Sequence, residues 1–260
     1  MFQQGLFAQQ VVFVSGGGSG IGLAIARMYL QYGARVIIAS RKADRIEKAL
    51  EQLKPLGEVT GLVLDIREPD QIVAICAQVK KSHGRVDILV NNAGGQFPSA
   101  AEDMTPKGWA AVVNNNLNGT FYMCQGFAKA FFMPQKQGTI TNIIAQIERG
   151  FPGMAHTGAA RAGVDNLTKS LAIEWLPYHI RVNAIAPGII DSSGLDQYPP
   201  ELLQKIKSSI PARRTGTVEE VAALTCYLSS PLADYITGET IYIDGGQRLW
   251  GSMWEVPEQF

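Results

Sequence analysis

A strand candidate rich in β-branched residues, Val11 to Ser15, runs directly into the glycine-rich string SGGGSGIG, Ser15 to Gly22, and then into the apolar-periodic stretch LAIARMYLQYG. Glycines between a first strand and a first helix let the backbone approach a pyrophosphate, and the helix N-terminus supplies unpaired N–H groups and positive potential. The competing account is a tight turn with close helix packing and no ligand. The end of the second strand candidate, Arg35 to Ser40, decides between two nucleotides. A carboxylate there would hold a ribose 2′-hydroxyl, whereas a 2′-phosphate needs a cation and no repelling carboxylate. The string Ala39-Ser40-Arg41-Lys42 has Ser40 at the acidic place and two cations after it, which predicts NADP(H). Solvated charges opening the next helix are the alternative for Arg41 and Lys42.

The elements that must position such a loop recur along the chain. Thr60 to Asp65, Val86 to Asn91, Thr139 to Ile144, Ile180 to Ala186 and Thr240 to Asp244 are further short, nearly continuous apolar runs, separated by segments long enough for helices. Strands buried on both faces read this way, and the alternation predicts an α/β, Rossmann-type doubly wound parallel sheet of about seven strands with helices on both faces. At 260 residues, with no compositional break, residues 1–260 read as a single domain. The least regular stretch, 191–217, carries Pro199, Pro200 and Pro211 and follows a late strand, so it reads as a substrate loop bordering the ligand crevice.

Composition excludes several functions. The net charge of zero lacks the footprint of a nucleic-acid binder or of a partner for an anionic membrane. Cys76, Cys124 and Cys226 are odd in number and form no CxxC pair, so no disulfide framework and no metal site is expected. MFQQGLFAQQ is unlike a signal peptide, no segment has the apolar length of a membrane span, and the terminal EQF is no address signal, which predicts a cytoplasmic protein.

Ser15 to Gly22 resembles the TGxxxGIG loop of the short-chain dehydrogenase/reductase family, and Asn91-Asn92-Ala93-Gly94 resembles its NNAG after the fourth strand. Asp65-Ile66, Asn116, Pro187-Gly188 and Asp244-Gly245-Gly246 follow in the family's order. The resemblance implies cofactor contacts from Gly16, Gly18, Ser19, Gly20, Ile21, Ser40, Arg41, Lys42, Asp65, Ile66, Asn92, Ala93, Gly94, Arg161, Pro187, Gly188 and Ile190. It also exposes a departure. The family's YxxSKAGV aligns with Thr157-Gly158-Ala159-Ala160-Arg161-Ala162-Gly163-Val164, so Thr157 replaces the tyrosine and Arg161 the lysine. A threonine hydroxyl does not ionise near neutrality and cannot serve as that acid. The family's serine is absent as well, its place falling on Ile144 or Ala145. Asp165 and Lys169 repeat the four-residue spacing one turn later; with Arg161 they read as helix-supporting i,i+4 charges rather than as a catalytic pair.

The strings from Gly150 to Gly163 and from Asn166 to Ala172, with Asn116 to Cys124 and Trp254 to Pro257, are similar to the peroxisomal trans-2-enoyl-CoA reductase and 2,4-dienoyl-CoA reductase branch. That resemblance implies NADPH-dependent reduction of the C=C bond of an acyl-CoA thioester. Such a site needs donors for an enolate oxygen more than a strong acid, and Asn116, Thr157 and Arg161 are the catalytic candidates, with Asn118 and backbone N–H groups near Gly153 as further donors. His156 and Tyr198 are weaker candidate acids, while His83 and His179 read as structural. A carbonyl/alcohol dehydrogenase with an unconventional acid and a non-catalytic NADP(H)-binding protein remain alternatives. The aromatic tail Leu249 to Trp254 and the family's habit imply a homotetramer, with an acyl-pocket wall as the other reading of that tail.

Overall fold

The computed structural model describes residues 2–192 and 207–249. Seven strands form one parallel sheet: β1 Val11–Ser15, β2 Arg35–Ser40, β3 Val59–Val63, β4 Ile88–Asn91, β5 Gly138–Ile143, β6 Ile180–Pro187 and β9 Thr240–Ile243, in the order β3-β2-β1-β4-β5-β6-β9. Strand side chains alternate between faces, and β1 shows the consequence: Val11 and Phe13 enter one apolar cluster and Val12 and Val14 the other. Helices α3 Pro69–His83, α5 Gly119–Phe127 and α7 Ala155–Glu174 cover the first face. Helices α1 Gly20–Gln31, α2 Ala43–Leu53 and α8 Val218–Ser229 cover the second. This is the expected doubly wound architecture. Its strand order reverses between β1 and β4, where the carboxyl ends diverge and open a crevice.

Two features were not legible in the periodicity. Helix α4 Pro106–Val113 passes into α5 through a wide π turn at Asn114–Asn118, and a second π turn at Ala128–Phe132 leads to the short α6 Met133–Gln135. Wide turns of this kind often mark functional sites, and the first of them holds the buried Asn116. The other feature is a two-residue ladder, β7 Ile190–Asp191 with β8 Gly216–Thr217. It joins the two ends of the 191–217 segment beside the crevice. Residues 193–206, with Tyr198, Pro199 and Pro200, lie outside the described residues, as does the tail from Trp250 onward.

The helix that bears Arg161 is locked to the sheet by polar groups inside the core. Asn91 Nδ2 donates to Asn142 Oδ1 (2.9 Å), Asn142 Nδ2 donates to Thr168 Oγ1 (3.0 Å), and Thr168 donates to Val164 O (2.8 Å). All three side chains are buried, so each bond is a register constraint between β4, β5 and α7. Thr168→Val keeps the volume but strands the Asn142 amide in the core, and an unpaired buried donor costs about 1–3 kcal/mol. The expected outcome is a lower denaturant midpoint by that amount; an unchanged midpoint would show that the network fixes nothing.

Candidate functional site

The glycine loop is held from below by the end of β4. Ser15 Oγ donates to Val90 O (3.3 Å) and accepts from the backbone N–H groups of Asn92 and Ala93 (3.1 Å each), while Asn92 Nδ2 donates to the carbonyls of Ser15 (3.2 Å) and Gly16 (3.1 Å). That proximity is why position 16 is glycine: φ is +68°, and a Cβ there would lie 2.8 Å from Asn92 Nδ2 and 2.9 Å from Ala93 Cα. At the start of α1, the Ser19 hydroxyl makes no capping bond and the first turn holds no carboxylate. The helix N-terminus therefore faces the crevice with its N–H groups and positive potential available for a phosphate.

Gly16, Gly18, Ser19, Ser40, Arg41, Lys42, Ile66, Asn92, Ala93 and Gly94 line one cavity of about 200 Å³. Arg45 of α2 and Asn115 of the π turn join them, two residues that the sequence reading missed. Among the described residues, Arg41, Lys42 and Arg45 have no carboxylate at ion-pair distance. Lys42 is also the N-cap of α2, so the helix-opening account of that residue holds alongside its place on the cavity wall.

A second cavity, of about 450 Å³, is lined by Ile21, Pro187, Gly188 and Ile190 and by Ile144, Phe151 and Met154. Arg161 is its only charged lining side chain among the described residues. Arg161 is 9% exposed; its guanidinium donates through Nη1 to Ile143 O (3.0 Å), leaves Nε without a partner and meets no carboxylate among the described residues. Burial pushes its pKa down to about 10, which leaves it cationic at neutral pH. Gly94 packs directly against Arg161, since a Cβ there would collide with Arg161 Nη2 and lie 2.7 Å from Asn116 Oδ1. An extended dinucleotide fits this arrangement: a glycine cradle, an uncapped helix end, and a buried cation short of acceptors at the far end.

Several candidates stand elsewhere than the sequence placed them. Asn116 does not offer its amide to the cavity: Nδ2 donates to Gly95 O (2.8 Å) and Oδ1 accepts from Gly95 N–H (3.1 Å), so its role here is to hold the loop after β4. Asn118 likewise donates to Asn114 Oδ1 (2.7 Å). Thr157 is fully buried, outside the lining of either cavity, with its hydroxyl 3.2 Å from His156 Nδ1. His156 accepts the Thr157 backbone N–H (2.8 Å), packs edge-on against Phe97 and has no partner at Nε2. Asp65 turns to Arg67, whose hydrogen bonds hold its carboxyl below the usual range, and only its neighbours Leu64 and Ile66 reach the first cavity. Gly20 starts α1 between the cavities without lining either. Asp165 binds Lys169 (2.6 Å) and Thr240 (2.5 Å), tying α7 to β9; Arg161 takes no part in that charge row.

Gln96, Gln146 and Gln247 also line the second cavity and were missed in the sequence, since each sits in a loop without a recognisable spacing. A further cavity of about 520 Å³ lies at the opposite, amino ends of the strands, where Arg85 and Arg181 are already paired with Asp87 and Asp234. Ligands of open parallel sheets bind beyond the carboxyl ends, which makes the crevice above β1 and β4 the candidate site. Among the described residues, no group of three or more His, Cys, Asp or Glu side chains could hold a metal, and no helix is long and apolar enough to cross a membrane.

A family model described as enoyl-(acyl carrier protein) reductase matches residues 16–248. A Bacillus subtilis protein named "Probable 2,4-dienoyl-CoA reductase" is 38% identical over 93% of this chain and 97% of its own length. A peroxisomal 2,4-dienoyl-CoA reductase of Pongo abelii is 38% identical over 96% of this chain and 87% of its own. Among solved structures, a citronellol catabolism dehydrogenase of Pseudomonas aeruginosa superposes with a TM-score of 0.86 at 36% identity, covering 95% of this chain and 98% of that one. With the strand order, the glycine loop and the buried cation already in place, these likenesses establish that the chain belongs to the short-chain dehydrogenase/reductase family, oxidoreductases that work with a nicotinamide cofactor.

Proposed function

We propose that the protein reduces the C=C bond of a 2-enoyl-CoA or 2,4-dienoyl-CoA thioester with NADPH. One observation carries this reading: the second cavity holds a single buried cation, Arg161, and no described acid, while the family's tyrosine position is occupied by the buried Thr157. When bound, NADPH supplies the hydride. Hydride addition to an enoyl thioester builds negative charge on the thioester oxygen, and a fixed cation in a water-poor site stabilises that charge without itself giving up a proton. Arg161 has Nε unused and a single carbonyl partner, which leaves donors for a ribose hydroxyl and for the enolate. The proton at Cα then comes from water. Thr157 lies one turn from Arg161; its hydroxyl donates to the enolate once it turns from His156 toward the cavity. Asn116 acts at one remove, by holding Gly95 and so the loop beside Arg161. The names of the relatives support the acyl-CoA substrate, and a carbonyl substrate is disfavoured by the missing acid.

Arg41, Lys42 and Arg45 support NADP(H) as the cofactor, with Gly16, Gly18, Ser19 and Asn92 to Gly94 along the pyrophosphate path and Ile21, Pro187, Gly188 and Ile190 around the nicotinamide. A single catalytic domain, a homotetramer and a cytoplasmic location complete the reading. Exposed Ile173, Leu176 and Leu249 support the assembly, and three free, buried cysteines suit a reducing compartment. NADPH oxidation with crotonyl-CoA, longer enoyl-CoAs, ketones and no substrate tests the activity: consumption with the enoyl-CoAs alone is expected, and consumption with ketones alone would overturn it.

Titration should show NADPH binding tighter than NADH, with Arg41→Ala narrowing the gap; equal affinities in the unaltered protein would contradict the cofactor assignment. In steady-state kinetics, Arg161→Lys should retain more activity than Arg161→Met, and Thr157→Val should lose on the order of tenfold, the loss of one oxyanion-type hydrogen bond. Full turnover in Arg161→Met would reduce that residue to a structural charge, and full turnover in Thr157→Val would remove Thr157 from the reaction.

A further inference from the structure

Three residues with primary amides, the exposed Gln96 and the half-buried Gln146 and Gln247, line the Arg161 cavity from three separate segments, and their side chains make no hydrogen bond to a described residue. Their placement is held by the surrounding structure. The Gln146 backbone N–H donates to Pro187 O (3.0 Å), and Gln247 Oε1 lies 3.2 Å from the place a Cβ on Gly188 would take, so the Gln146 backbone and the Gln247 amide both meet the end of β6. The segments that carry them are clamped together: Arg248 meets Glu148 at 3.3 Å, stacks 4.3 Å over the Tyr242 ring and accepts at its carbonyl from Arg149 Nε (2.9 Å). Opposite them, the loop bearing Gln96 is tied down where Ser99 N–H donates to Gly153 O (2.8 Å).

A primary amide donates and accepts at once, which complements a secondary amide presenting both C=O and N–H. Three such groups with no partners would be left unsatisfied by a purely hydrocarbon ligand, and an anionic ligand would find one cation already committed to the reacting end. Resting on the enoyl thioester reading above, we infer that the three glutamines recognise the amide-bearing pantetheine arm of the substrate, and that the enzyme selects pantetheine thioesters over simple alkyl thioesters of the same acid. Arg161 then attends to the thioester oxygen while Phe151, Met154 and Ile144 receive the acyl chain.

The test compares kcat/KM for two small thioesters of crotonate, one on N-acetylcysteamine, which keeps an amide of the arm, and one on ethanethiol, which has none. Sites built around hydrogen bonds discriminate strongly against analogues that lack them. The unaltered enzyme should favour the amide-bearing thioester by at least about tenfold, and Gln146→Leu and Gln247→Leu should each bring that ratio down severalfold, through KM rather than kcat. Calorimetry with free pantetheine and the NADPH-loaded protein gives a readout that needs no turnover, and Gln146→Leu should weaken its binding by about tenfold. A ratio near one, or a preference that survives both substitutions, overturns the inference, as does an equal loss of NADPH affinity, which would assign the amides to the nicotinamide carboxamide. Pantetheine binding without turnover of either thioester would defeat the proposed reduction and leave the recognition standing; the absence of both defeats both.

Discussion

Arg161 is the constraint on which the rest of the site turns. A buried guanidinium with one carbonyl partner and no counter-ion among the described residues is costly to fold, and structures keep such groups where a ligand completes their bonding. Its position follows from α7, whose rotation is set by the Asn91–Asn142–Thr168 chain through the core, and from Ile143 at the end of β5, which accepts its one hydrogen bond. Gly94 exists as glycine because any side chain there would displace the same guanidinium. Sheet, helix and loop thus converge on one buried cation.

The glycine loop answers to the same logic at the other end of the site. Ser15 and Asn92 spend their polar atoms on the backbone between β1 and β4, so the loop is shaped before any ligand arrives. What remains uncommitted is the start of α1 and the three cations from the end of β2 and the start of α2. Preorganisation of this kind lowers the ordering cost of binding a long, flexible dinucleotide.

The sheet and the phosphate loop were legible in the sequence because both rest on local signals: apolar runs of strand length and glycines at a strand-to-helix junction. Element ends moved by a residue or two where polar side chains altered the pairing; β3 stops at Val63, before Asp65 turns to Arg67. Arg161 stood out in the sequence as a departure at a motif position, whereas the bonding of Asn116 to Gly95, within a π turn that no periodicity announces, did not. Gln96, Gln146 and Gln247 escaped because a loop side chain's direction is fixed by distant contacts such as Glu148 with Arg248. The alignment marks Thr157 by its place one turn from Arg161, but it does not tell that the hydroxyl rests 3.2 Å from His156 Nδ1 and must turn to meet a substrate.

On the proposed reading, C=C reduction relies on the fixed cation Arg161, with Thr157 standing at the position of the family's tyrosine. That reduction has a direct atomic signature. Crotonyl-CoA reduced with NADPH deuterated at the nicotinamide C4, followed by NMR of the saturated thioester, locates the transferred atom. The account predicts deuterium at Cβ, with the Cα proton exchanging from solvent; deuterium at the thioester carbonyl carbon, or label transfer only to ketone substrates, would contradict it.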